Sequence, residues 1–182
     1  MLADLLCGDD TRAEASLAHI TPDDLPQLIE LSRSVSPEAR WWAVRALAVV
    51  ATPEAATPLI AALDDSDQAV QGAAIAALGA RGESSATPPL ITYLNHPSPF
   101  MAQLACDALE QIGKAAVPGL IAALSAPEAS TRRHAARALA HIKDPLAIPA
   151  LFKALDDDSM YVQYWADEGL EAMGVGQVYF KP

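Results

Sequence analysis

The chain has 182 residues, 52% of them hydrophobic and only 5% aromatic, enough apolar content to bury a substantial core and too much for a disordered chain. Its 12 basic and 23 acidic side chains leave a formal net charge of −11, which repels a phosphate backbone and argues against nucleic-acid binding. The uncharged run Ala115 to Pro127 is too short to span a bilayer, and the longer one, Ser84 to Cys106, is broken by Pro88, Pro89, Pro97 and Pro99 and by polar residues, so membrane insertion is not expected.

The first residues, MLADLLCGDD, carry no basic leader, and Asp4, Asp9 and Asp10 interrupt the apolar stretch. A secretory signal is therefore not expected, and a soluble cytoplasmic protein is. Residues 1–34 read as an atypical N-terminal cap containing a degraded helical pair, with Leu17 thirty residues before Leu47 and Leu28-Ile29 thirty-one before Leu59-Ile60.

From there a period governs the chain. Leu47, Leu78, Leu109, Leu139 and Leu170 follow one another at 30 or 31 residues, each with an alanine four positions earlier, at Ala43, Ala74, Ala105, Ala135 and Ala166. A second register runs through Leu59, Leu90, Leu120 and Leu151, with Leu63, Leu94, Leu124 and Leu155 four residues on. Spacings of three and four residues place apolar groups on one helical face. Pro58, Pro89, Pro118 and Pro149 sit where a first helical turn has no use for an N–H. The acidic turns DDSD (64–67) and DDDS (156–159) are expected to cap the next helix.

Each unit is thus a longer helix, a turn, a shorter helix and an acidic turn. Such a pair cannot cover its own apolar face, so copies must stack. The expected architecture is an all-α solenoid of about six short helical pairs in a single domain over 1–182. Its expected repeats are 35–65, 66–96, 97–126 and 127–157, with a terminal helix and C-terminal cap over 158–182. The last helix lacks a following partner, and Val178, Tyr179 and Phe180 are expected to cover it.

RWWAVRALAVV (40–50) places two tryptophans side by side, and QYWADEGLEAM (163–173) repeats the arrangement with Tyr164 and Trp165. With Ala39, Ala43, Ala46, Leu47 and Val50 as the buried stripe and 100° per residue, Trp42 falls at its edge and Trp41 almost opposite. Trp165 and Tyr164 fall likewise. Trp41 and Tyr164, with Arg40 and Arg45, are therefore candidate protein-binding residues. A rival surface lies on the second helices, where Thr92, Asn95 and Lys153 project beside small residues such as Ala61 and Ala122.

Catalytic signals are absent. The four histidines, His19, His96, His134 and His141, fit no HExxH pattern, the two cysteines, Cys7 and Cys106, make no metal knuckle, and neither a P-loop nor GxSxG spacing occurs. Cys106 occupies a packing position, equivalent to Val44 and Ile75, and His134 aligns with Trp42 and Trp165. No catalytic residue, metal ligand or cofactor is expected from these patterns.

The segments SDQAVQGAAIAALGARGESSATPPLITYL and PSPFMAQLACDALEQIGKAAVPGLIAAL resemble HEAT repeats, specifically the short HEAT-like repeats associated with phycobilisome bilin lyases. The resemblance covers roughly 35 to 173 through a V-x-x-A-A-x-x-A-L-G skeleton, from which Met101 and Thr131 depart. It implies a solenoid that binds another protein, with a phycobiliprotein or a related HEAT-like subunit as candidate partners. Three functions are open at this point. The first expectation is a non-catalytic scaffold or adaptor. The second, taken from the resemblance, is a phycobilin lyase subunit or accessory acting on phycobiliproteins. The third is an accessory factor in assembly of an iron–sulfur or other cofactor, using Cys7 or Cys106.

Overall fold

The structure is a computed structural model that describes residues 2–6 and 8–175. It forms two compact units, Met1–Glu83 and Ser84–Pro182. Among the described residues there are helices and turns and no strand, as the period predicts.

In the first unit α1 (Leu2–Leu5) and α2 (Asp10–Leu17) precede the pairs α3 (Leu25–Leu31) with α4 (Pro37–Val49) and α5 (Ala56–Ala61) with α6 (Gln68–Ala80). The long helices α2, α4 and α6 lie side by side, while α3 packs on α4 and α5 on α6. The second unit repeats this scheme with α7 (Thr87–Tyr93), α8 (Pro99–Ile112), α9 (Val117–Ala123), α10 (Ala129–Ile142), α11 (Ile148–Ala154) and α12 (Met160–Ala172). Here α8, α10 and α12 form the row of long helices, and α7, α9 and α11 pack on them in turn.

The two registers are the core. All five repeating leucines and their alanine partners are inaccessible to solvent, as are Leu59, Leu90, Leu120 and Leu151. Pro88, Pro118 and Pro149 occupy the second position of α7, α9 and α11, where no helical N–H is lost. A recurring 3₁₀ turn leads into each short helix from α3 to α11, at Pro22–Asp24, Pro53–Ala55, Ser84–Ala86, Gly113–Ala116 and Pro145–Ala147.

Small residues set the helix spacing. The position before each repeating leucine holds Ala46, Ala77, Ala108, Ala138 and Gly169, all buried. A second recurring position ends the long helices with positive φ, at Gly82 (63°), Gly113 (71°), Lys143 (56°) and Gly174 (76°). Glycine reaches this left-handed region without a Cβ clash, whereas Lys143 does not.

The acidic turns differ from one another. Asp67 caps α6 as expected, accepting hydrogen bonds from the N–H groups of Ala69 (2.8 Å) and Val70 (3.3 Å). The DDDS turn departs from that expectation: Ser159, at the N-cap of α12, makes no side-chain capping bond. Asp157 instead accepts from the Ser159 N–H at 2.8 Å and binds Arg132. The expected covering segment, Val178 to Phe180, and Cys7 lie outside the described residues.

Candidate functional site

In the first unit, the starts of α2, α4 and α6 converge on a cavity of about 700 Å³ lined by Asp10, Thr11, Glu14, Pro37, Glu38, Trp41, Trp42, Asp67 and Ala69. Trp41 lies here, but its surroundings differ from the expected outward pose. It is half-buried, because α2 packs against α4 and brings Glu14 beside it. Glu14 accepts a charge-assisted hydrogen bond from Arg45, whose guanidinium sits 5.1 Å from the centre of the Trp41 ring. Trp42 meets Trp41 edge-on, with 4.8 Å between ring centres and planes at 82°. At 4% exposure Trp42 is a core residue rather than an edge residue. The cavity therefore has an aromatic floor and four carboxylate walls, with Arg45 offsetting one of them.

Arg40, a candidate contact residue by sequence, is engaged within the fold. Its Nε and Nη2 each donate to Asp65 at 2.7 Å, and Nη1 donates to the carbonyl of Ser34 at 2.9 Å. The Arg40 hydrogen bonds hold the Asp65 carboxyl below its ordinary pKa against the opposing effect of burial, with help from the Asp67 N–H. The clamp recurs in the second unit, where Arg132 donates to Asp157 at 2.8 and 3.1 Å and to the carbonyls of Ala126 and Pro127. Gln71 and Gln163 complete the two copies by donating to the carbonyls of Asp65 and Asp157. Arg40 thus ties the chain entering α4 to the turn entering α6, which removes the physical reason for treating it as a free contact.

Thr92, Asn95 and Lys153 are exposed, as the second-helix reading requires. Lys153 borders a cavity of about 390 Å³ with Ile121, Leu124, Ser125, Ala150, Ala154, Asp156 and Asp157. Tyr164 is 53% exposed and continues an apolar face of α12 with Met160 and Tyr161.

The row α8–α10–α12 carries a denser polar cluster that the sequence reading did not assemble. Arg137 donates to Asp107 at 3.0 Å, and its guanidinium lies 6.0 Å from the centre of the Trp165 ring. His141 pairs with Glu110 at 2.8 Å and meets Trp165 edge-on at 5.4 Å. His134 is buried, with Nδ1 3.0 Å from the Leu94 carbonyl and Nε2 3.2 Å from a nitrogen of Arg133. A carbonyl can only accept, so Nδ1 carries the proton and Nε2 is the acceptor. Burial lowers the His134 pKa, and the charges of Arg133 and Arg137 add to that effect, so the ring is neutral. The available signal was Arg133 and Arg137 four residues apart on a helix of an acidic chain, a spacing that shares one face.

Cys106 has a structural setting. It is fully buried, and its thiol lies 3.4 Å from the His134 carbonyl. Burial and the neighbouring Glu110 charge push its pKa up, opposite to what a nucleophile or thiolate ligand needs. Among the described residues no three His, Cys, Asp or Glu side chains group to hold a metal ion. None of their helices is long and apolar enough to cross a membrane.

Paired helices of this length and register, stacked through alanine seams, define a helical repeat protein, and the model for HEAT repeats matches residues 25–110 and 117–177. The chain belongs to the HEAT-repeat family. It is 38% identical over 117 residues to a phycobilisome maturation protein of Synechococcus elongatus, covering 63% of this chain and 56% of that one. Over 123 residues it is 38% identical to the phycocyanin alpha phycocyanobilin lyase CpcF of Synechocystis sp., covering 66% of this chain and 57% of the relative. The chain thus spans little more than half the length of these curated relatives. Among solved structures, the complex of CpcE and CpcF of phycocyanin lyase from Nostoc sp. matches with a TM-score of 0.54 and 26% identity, covering 80% of this chain and 63% of that one. These relatives overturn the expected non-catalytic scaffold, because the similarity runs to proteins named for lyase activity and phycobilisome maturation.

Proposed function

We propose that the chain is a subunit of a phycobilin lyase and acts with a second protein on a phycobiliprotein in the cytoplasm. The observation that carries this reading is the 38% identity over 123 residues to CpcF. The solved CpcE–CpcF complex supports a related HEAT-repeat subunit as the partner. The geometry is compatible with a chain that holds and presents a pigment without bonding to it through Cys106, which is buried and whose thiol is disfavoured as a nucleophile.

The cavity floored by Trp41, with Arg45 at its side, is proposed as the partner-facing surface of the first unit. Its carboxylate walls favour a basic segment of that partner. In the second unit Tyr164 and the face bearing Thr92, Asn95 and Lys153 are proposed to meet the phycobiliprotein. The repeat boundaries at 35–65, 66–96, 97–126 and 127–157 are proposed on the sequence period.

The test is reconstitution. The purified chain, a CpcE-type subunit, phycocyanobilin and an apo-phycobiliprotein are combined, and pigment retained by the acceptor after denaturation is measured by visible absorption and fluorescence. Pigmented acceptor only when the chain is present is the expected result. No shift in pigment absorption and no transfer in any combination would overturn the lyase reading.

A further inference from the structure

The pocket on the row α8–α10–α12 has an unusual electrostatic character for a chain of net charge −11. Gln103, Arg133, His134, Arg137 and Trp165 line an open surface pocket of about 500 Å³, and no carboxylate is among its lining residues. Three guanidiniums project from α10, and two are neutralised: Arg132 by Asp157 and Asp158, Arg137 by Asp107 and Glu110. Arg133 is different. Among the described residues its hydrogen-bond partner is Nε2 of the neutral His134, so the imidazole orients the guanidinium without cancelling its charge.

Among the described residues this half-buried guanidinium has no counter-charge, so it loses hydration without a compensating ion pair. Beside it stands the ring of Trp165, held by Arg137 and His141 on one helix and Tyr164 on its own. The buried Leu94 carbonyl fixes His134, which in turn fixes Arg133, so the donor edge is positioned before any ligand arrives. The planar fork of arginine suits a carboxylate, and the aromatic wall suits a flat conjugated body.

We propose that this pocket is a carboxylate-anchoring site for an open-chain tetrapyrrole, with a propionate on the free edge of Arg133 and the conjugated system lying along Trp165. The proposal rests on the lyase reading for the class of ligand and on the pocket for its location. Gln103 also lines the pocket and is itself oriented by the 2.7 Å hydrogen bond it donates to Asp107. The unequal treatment of the two arginines is then explained: Arg137 builds the wall, and Arg133 remains available to the ligand.

The test titrates the full chain with phycocyanobilin and, separately, with its dimethyl ester, following induced visible circular dichroism. Wild type should bind the free acid at least about tenfold more tightly than the ester, as expected for loss of one charge-assisted contact. Arg133→Gln should weaken the free acid about tenfold and abolish the preference, while Arg133→Lys should retain part of it. Equal binding of acid and ester by wild type would overturn the proposal without recourse to any variant, as would full affinity and preference in Arg133→Gln. If wild type binds neither compound while reconstituted transfer still proceeds, the pocket assignment falls and the lyase reading stands. If binding and transfer are both absent, the lyase reading falls and the proposal falls with it.

Discussion

Gly169 of α12 lies so close to Ala140 of α10 that a Cβ at Gly169 would stand 3.0 Å from the Ala140 Cα and 3.1 Å from the Leu151 Cδ1. Backbone cannot yield as a side-chain tip can, so this contact sets the distance between the two helices. Gly169→Val should force α12 away from α10 and cost about 1–3 kcal/mol of stability. Urea unfolding measures it, and a midpoint equal to that of wild type would show that the helices separate freely.

Lys143 stands at the repeat position where Gly82, Gly113 and Gly174 also have positive φ. A left-handed conformation costs a side-chain-bearing residue roughly 1–2 kcal/mol, part of which glycine returns through its greater unfolded-state entropy. The Lys143 side chain is exposed, so little packing is lost on removing it. Lys143→Gly should therefore raise stability by about 0.5–1 kcal/mol in a thermal melt. Gly113→Ala should lower it by more, about 1–3 kcal/mol, because φ 71° with ψ −135° lies outside the left-handed well that Lys143 occupies.

The helical core was legible because burial in a repeat follows residue spacing: Leu109 and Ala105 could be placed from their register alone. The Arg132–Asp157 clamp was not read, because it joins residues 25 apart through a turn whose path the helical period does not specify. A trace of it was present, since Arg40, Asp65 and Gln71 recur at the same register as Arg132, Asp157 and Gln163. The angular placement of Trp41 could not foresee its burial, because an angle on one helix says nothing about where α2 packs. The Arg133 pocket is still further from the sequence, as it needs three helices to bring Gln103, His134 and Trp165 together.

Asp157 predicts an acid limb. Burial raises its pKa, but the Arg132 hydrogen bonds, the Ser159 N–H and the bond to Asp158 outweigh that and hold it below its ordinary value. The unfolded carboxyl titrates near about 3.9, so its stabilisation is complete above about pH 4 and is lost as pH falls through the lower folded pKa. Asp157→Asn should reduce the urea midpoint at pH 6 and narrow the difference between pH 6 and pH 3. An unchanged difference would mean that the clamp does not respond to protonation.

His134 predicts a separate limb at milder acidity. Its folded pKa is lowered, chiefly by burial, beneath the unfolded value near about 6.5. The unfolded chain takes up the proton first, so stability is intact above about pH 6.5 and falls as pH drops toward the folded pKa, by at most about 1.4 kcal/mol per pH unit. His134→Gln keeps a donor for the Leu94 carbonyl and removes the titration. Its melting temperature should change less than that of wild type between pH 7.5 and 5.5, and parallel curves would assign the dependence to another group.

Trp41 and Trp42 should separate stability from association. The Trp42 ring is 4% exposed, so Trp42→Ala leaves a core cavity and should cost about 3–5 kcal/mol. Trp41 is half-buried and lines the cavity between the starts of α2, α4 and α6. Its loss removes the contact with Arg45 and part of the aromatic floor, which should cost about 1 kcal/mol, the scale of an exposed cation–π pair together with limited packing. If the partner subunit seats a basic segment in that cavity, Trp41→Ala should weaken the complex by about 2 kcal/mol or more, as truncation of an aromatic anchor does. Calorimetric titration with the CpcE-type subunit, beside urea unfolding of the same variants, makes the comparison. Unchanged affinity in Trp41→Ala would move the partner surface elsewhere on the chain. Equal destabilisation by the two substitutions would show that the tryptophans act as one packed pair.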